Sequence, residues 1–175
     1  MRNIFFTLTL AVAMMGLASC LDNAEREPAQ TCSATYYISF GDDFFKAATA
    51  TVYFKDGDKT KSIVFDDGNV LDDGKMWKRT TRGALNAPYG FRIVIHPKSV
   101  NELSQDSYDL HTTGKIDMVA STGNKFHGSW QPIVEAAGPV GKSQTPSVLL
   151  ASSGKVIAYQ VDSKGDFVEN TTLFD

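Results

Sequence analysis

The sequence predicts an all-β fold: a β-sandwich, immunoglobulin-like or related, of roughly 8–10 short antiparallel strands. Three observations predict it. Short runs rich in Val, Ile, Phe, Tyr and Thr recur along the chain, and these residue types suit a pleated, half-buried surface. Strong turn formers separate the runs. No window sustains the apolar period of a helix.

The first run, 35–40, alternates cleanly. Tyr36, Ile38 and Phe40 share one face, and Thr35, Tyr37 and Ser39 share the other. Further strand-like runs are 48–55, 61–66, 76–81, 89–96, 108–110, 116–120, 125–130, 147–152, 156–161 and 167–174. Between them stand Asp56-Gly57, Asp67-Gly68, Asp73-Gly74, Gly123-Asn124, Ser153-Gly154 and Lys164-Gly165, pairs that favour tight turns. The clearest pairing closes the chain, where 156–161 and 167–174 form a hairpin around a turn at 162–166. The best helical candidate is a turn or two at 99–104, with Pro97 just ahead and Val100 and Leu103 three apart. Residues 132–146, containing Gly138, Pro139 and Gly141, form the longest expected irregular stretch. A closed lipocalin-like β-barrel is the alternative to the sandwich.

Length and charge narrow the function. A chain of 175 residues is the size of a single domain and buries a core without disulfide staples. Without its first 19 residues, which hold only Arg2, it carries 16 basic and 20 acidic residues. That mild acidity, without a basic stripe, argues against nucleic acid as a partner.

The first twenty residues read as an address. Arg2 supplies a positive start, and 4–17 form an apolar stretch broken only by Thr7, Thr9 and Gly16. The stretch is shorter than the ~20 residues a membrane-spanning helix needs, and small residues follow it, so it predicts a secretory signal over 1–19. Leu17-Ala18-Ser19-Cys20 resembles the lipobox of bacterial lipoproteins: leucine, two small residues, then cysteine. The resemblance implies a diacylglyceryl thioether on Cys20, cleavage before it, and acylation of the new amine. Several acyl chains on one residue make a durable membrane anchor, at about 0.8 kcal/mol per buried methylene. Residues 20–31, with Asp22, Asn23, Glu25, Arg26, Glu27 and Pro28, lack apolar periodicity and read as a flexible tether. An acidic stretch at that place is similar to the surface-export signal of Bacteroidetes lipoproteins, and implies the outer membrane, at its periplasmic or its cell-surface face. Residues 32–175 read as one β domain. Cys32 is the only cysteine besides Cys20. It is expected to be a free thiol where tether meets domain, with intermolecular pairing as the less favoured reading.

Candidate sites are few. Trp130-Gln131 beside the Gly- and Pro-rich stretch is the best ligand-binding spot, with Trp77 next: an exposed indole stacks on the C–H face of a sugar while amides and carboxylates bind its hydroxyls. Asp66, Asp67, Asn69, Asp72 and Asp73 supply hard oxygens of the kind calcium takes, yet Asp and Gly also populate turns for conformational reasons, so they are a weak calcium candidate. His96, His111 and His127 stand apart in sequence, without metal-binding spacing. No nucleophile elbow occurs, and no catalytic residue or cofactor is expected. The expected function is therefore a lipid-anchored envelope protein whose domain binds or scaffolds. A glycan-binding accessory lipoprotein of a polysaccharide-uptake system is the alternative, and a hydrolase the outside one. Partners are the membrane, through Cys20, and a glycan or envelope protein.

Overall fold

In the first strand, β1 (Thr31–Ser39), every second side chain is buried, as the alternation requires. The computed structural model describes residues 30–66 and 76–175. After β1 come a single turn of helix, α1 (Phe44–Ala47), then β2 (Ala48–Asp56), β3 (Lys59–Phe65), β4 (Met76–Ala84) and β5 (Tyr89–Pro97). A 3-10 turn at Val100–Glu102 leads to β6 (Ser107–Tyr108), β7 (Thr112–Ala120), β8 (Lys125–His127), β9 (Gln131–Val134) and β10 (Val140–Gly141). Helix α2 (Thr145–Ser152) and the strands β11 (Val156–Val161) and β12 (Phe167–Glu169) complete the order.

The strands form two antiparallel five-stranded sheets and a small β6–β10 ladder. The front sheet runs β4-β1-β7, and both β8 and β9 pair with the far side of β7. The back sheet runs β12-β11-β5-β2-β3. No ladder joins the two sheets among the described residues, so the fold is a sandwich and not a closed barrel.

The core fills the space between the sheets. From the front sheet come Ala34, Tyr36, Ile38, Ile116 and Met118, and from the back Val52, Phe91, Ile93 and Ile157. Tyr36 sits at the centre, its ring 6.1 Å from Phe54, 6.2 Å from Phe91 and 6.4 Å from Trp77. Each large apolar side chain among them stabilises the fold by roughly 1.5–3 kcal/mol on burial. The Tyr36 hydroxyl donates to Lys55 O at 2.7 Å and accepts from Thr81 Oγ1 at 3.3 Å, which satisfies it inside the core. Burial pushes its pKa well above the ordinary tyrosine range. Tyr89 opens β5 and lies 3.0 Å from Cys32 O and 2.8 Å from Ala84 O, sharing its one proton between two front-sheet carbonyls. Burial raises its pKa to about 12.

Two expectations change, at 147–152 and at 132–146. The run 147–152 is helix, not strand: it belongs to α2, whose first turn holds Pro146. Its apolar residues are too few and too evenly spread around the helix to give a period, so a short apolar run reads either way. The helix has a structural task at β5. Residues 89–92 of that strand pair with β11, and beyond them its edge is met by the end of α2. There Ser153 Oγ accepts from Ile95 N at 2.8 Å, and Gly154 N donates to Ile93 O at 2.8 Å. The stretch 132–146 is less irregular than expected, since it contains most of β9 and all of β10. At 99–104 only the 3-10 turn forms, closed by Ser99 and Glu102 in a capping box. The closing hairpin does form, with Val161 opposite Phe167 and Tyr159 opposite Glu169, though its second strand spans only Phe167–Glu169.

Candidate functional site

The outer face of the front sheet follows from strand alternation. With Tyr36 and Ile38 turned inward, Tyr37 points out, flanked in register by Lys78 of β4 and Lys115 of β7. Both ammonium groups lie over the Tyr37 ring, Lys78 Nζ at 5.6 Å and Lys115 Nζ at 4.6 Å from its centroid.

Trp130 is delivered to the same spot by a backbone device. Strand β8 pairs with residues 117–119 of β7 and β9 with residues 112–114. The chain crosses the gap at Gly128-Ser129-Trp130, with Gly128 N donating to Ile116 O at 3.0 Å. A Cβ on Gly128 would sit 2.4 Å from that same oxygen, so only glycine allows the close approach. Two residues on, Trp130 stands 45% exposed against the edge of Tyr37, ring centroids 6.2 Å apart at 64°. Lys115 Nζ reaches the Trp130 ring as well, at 5.6 Å, and pairs with Asp117 Oδ2 at 3.0 Å. Asp117 Oδ1 is buried without a hydrogen bond and has His127 Nδ1 3.8 Å away. Thr35 and Thr80, whose hydroxyls meet at 3.0 Å, continue the surface along β1 and β4. The result is an aromatic pair with cations on both sides and hydroxyls beside it.

The three residues singled out from the sequence part company. Trp130 is the exposed one. Gln131 opens β9 opposite Gly114, and its Nε2 donates to the Tyr159 hydroxyl at 2.9 Å, tying front sheet to back instead of flanking the indole. Trp77 is 7% exposed and packs in the core on Tyr36, Phe54 and Phe65, so its ring faces are not available to a ligand. Tyr37, Lys78, Lys115 and Asp117 were not singled out. The alternation that turns Tyr37 outward is visible in 35–40, but the strands that flank it are set by pairings far apart in sequence.

The remaining candidates form no site among the described residues. Asp66 is exposed at the end of β3, while Asp67, Asn69, Asp72 and Asp73 lie outside the described residues. Among the described residues, no group of three or more His, Cys, Asp or Glu is placed to hold a metal ion. His96 contacts Thr51 Oγ1 at 3.5 Å on the back sheet, and His111 is exposed in the loop before β7. Cys32 is fully buried and unpaired, and burial raises its thiol pKa, the setting of an inert structural cysteine. Cys20 lies outside the described residues. A cleft of about 620 Å³ opens at the end of the sandwich where Gln30 meets the turn at 162–165, but no aromatic side chain lines it.

Comparison with known proteins returns no matching family model, no matching curated protein and no matching solved structure.

Proposed function

We propose that the chain is a lipid-anchored envelope protein whose β-sandwich binds a carbohydrate, without catalysis, on the outer face of its front sheet. One observation carries the binding reading: Trp130 is 45% exposed and is held in place by Tyr37 and by the Gly128 approach. An indole kept in water at a fixed angle costs apolar exposure, and a sugar ring laid on it recovers that burial while leaving its hydroxyls to the surrounding polar groups. Thr35, Thr80, Asp117 and Lys115 supply donors and acceptors beside it.

The anchoring rests on the sequence, on the lipobox-like Leu17-Ala18-Ser19-Cys20 and the acidic tether after it. Among the described residues, no helix is long and apolar enough to cross a membrane. Fractionation of cells expressing Cys20→Ala tests the anchor: release of the protein from the membrane fraction is expected, and unchanged fractionation refutes it.

The binding reading is tested by tryptophan fluorescence of the whole chain in detergent, titrated with a panel of soluble polysaccharides. With Trp77 buried, the shift and quenching on binding are expected to come from Trp130 and to vanish in Trp130→Phe. A panel that leaves emission and calorimetric heats unchanged refutes it. Scaffolding is the second reading, favoured by the exposed Tyr53, Ile63 and Val64 around β3. Concentration-dependent self-association that Ile63→Lys abolishes would support it.

A further inference from the structure

We infer that the ligand of the front-sheet face is an anionic polysaccharide, one bearing carboxylate or sulfate groups along its chain; this deepens the binding reading above and rests on it.

The argument is the distribution of charge. Over the whole chain acids outnumber bases, 20 to 17. The outer face of the front sheet reverses that balance, holding Lys78, Arg82, Lys115 and Lys125 against the single acid Asp117, whereas Arg79, opposite Tyr36, belongs to the inner side. The other acids of the described residues stand in turns, loops and strand ends, at Asp42, Asp58, Asp106, Asp109, Asp162 and Asp166 among others. An acidic protein thus carries a basic patch on this face, and its potential steers a negatively charged chain toward it and away from the acidic rims.

Position agrees with charge. Lys78 and Lys115 flank Tyr37 from the two neighbouring strands, so their Cα atoms are about 10 Å apart across the sheet. That span suits acidic groups about two sugar units apart along a chain, with one ring stacked at Trp130. Asp117 holds Lys115 at 3.0 Å, which fixes the ammonium beside the aromatic pair and offsets about one of the face's charges. Arg82 is held by Thr31 Oγ1 at 3.0 Å, and Lys125 extends the basic surface along β8. A neutral glycan would need only the rings and hydroxyls; the cations on both sides of Tyr37 are explained by a charged one.

The test uses matched ligands. Oligogalacturonate and its methyl ester share a backbone and differ in charge, and each is titrated calorimetrically into the whole chain in detergent, with alginate and chondroitin sulfate oligosaccharides as further anionic probes. The acid is expected to bind roughly tenfold tighter than the ester, about what two or three exposed ion pairs supply together. That gap should narrow in Lys78→Gln, an exposed position outside the core, and close at about 1 M salt, where the Debye length is about 3 Å. Loss of both ligands in Trp130→Ala, with an unchanged circular dichroism spectrum, places the binding on this face. Equal affinity for acid and ester overturns the anionic class and leaves the carbohydrate reading standing. Binding of neutral glycans alone does the same. Failure of every anionic and neutral glycan overturns both.

Discussion

The sandwich has two outer faces made by the same alternation, and they end differently. The back sheet is roofed at one end by the C-terminal tail. Leu173 lies over Gly90 and Ala158, Asn170 N donates to Ala158 O at 2.9 Å, and Arg92 Nη1 reaches Phe174 O at 3.4 Å. Lys55 Nζ stands 5.8 Å from the Phe174 ring, so a cation and an aromatic that lie apart in sequence satisfy each other there. On the front sheet the corresponding cations, Lys78 and Lys115, meet the Tyr37 ring, and the indole beside it is left in water. One face has its own chain for a cover. The other presents the same chemistry without one among the described residues, and the comparison teaches where a ligand would complete the structure.

The sharpest break in that comparison uses the two tryptophans. Trp77→Ala should cost about 3–5 kcal/mol in urea unfolding, because it empties a core site packed by Tyr36, Phe54 and Phe65. Trp130→Ala should stay within about 0.5 kcal/mol of wild type, as exposed positions do, while ligand binding is lost. Similar losses for both would mean that Trp130 is structural and the front face is no site.

Next in size is the roof. A Cβ at Gly90 would stand 2.4 Å from Ala158 Cβ and 2.8 Å from Leu173 Cδ2. Gly90→Ala should therefore cost about 1–3 kcal/mol by overpacking and lift the tail. Hydrogen exchange at the Asn170 amide, which donates to Ala158 O, reads the lifting, and front-face binding should not change.

The layer between the faces carries an alkaline limit. Burial raises the pKa of Tyr36, and that of Tyr89 to about 12. The folded state therefore keeps protons that unfolded tyrosines release from near pH ~10 upward. This contribution is whole below pH ~10 and is lost as pH rises through the folded values. Denaturation midpoints should fall steeply above pH ~10, and less steeply in Tyr89→Phe. A flat profile would contradict the buried hydroxyl network.

The smallest effect is at the acid end. Asp43 accepts from Asp109 N at 2.9 Å and from Lys46 Nζ at 2.7 Å, and these bonds hold its carboxyl below the usual range. Its contribution is present at neutral pH and disappears as pH falls through its lowered folded value. Asp43→Asn should flatten that acid limb slightly and leave both faces untouched.

Much of the fold was legible because strand alternation is local. The pattern at 35–40 names the inward and outward residues of β1 correctly, and the Asp56-Gly57 turn appears as a two-residue hairpin with Gly57 at φ +61°. The helix α2 was not legible, since six residues from Ser147 to Ser152 with no period leave helix and strand equally open, and only Pro146 hinted at a first turn. The site was half legible. An exposed tryptophan after Gly128-Ser129 was a fair candidate, whereas its neighbours Tyr37, Lys78 and Lys115 come from three strands whose pairing no local pattern encodes. Trp77 misled because its strand, with Lys78, Arg79 and Thr80 following, shows too little alternation to mark it as inward.

The Gly128 approach has one more consequence. The direction in which residue 130 projects is set by main-chain atoms, through the bond from Gly128 N to Ile116 O, and owes little to the side chain that happens to be there. That makes the position a socket. Different side chains could be plugged into it during evolution or by design without disturbing the frame, so the chemistry this surface presents can be retuned one residue at a time.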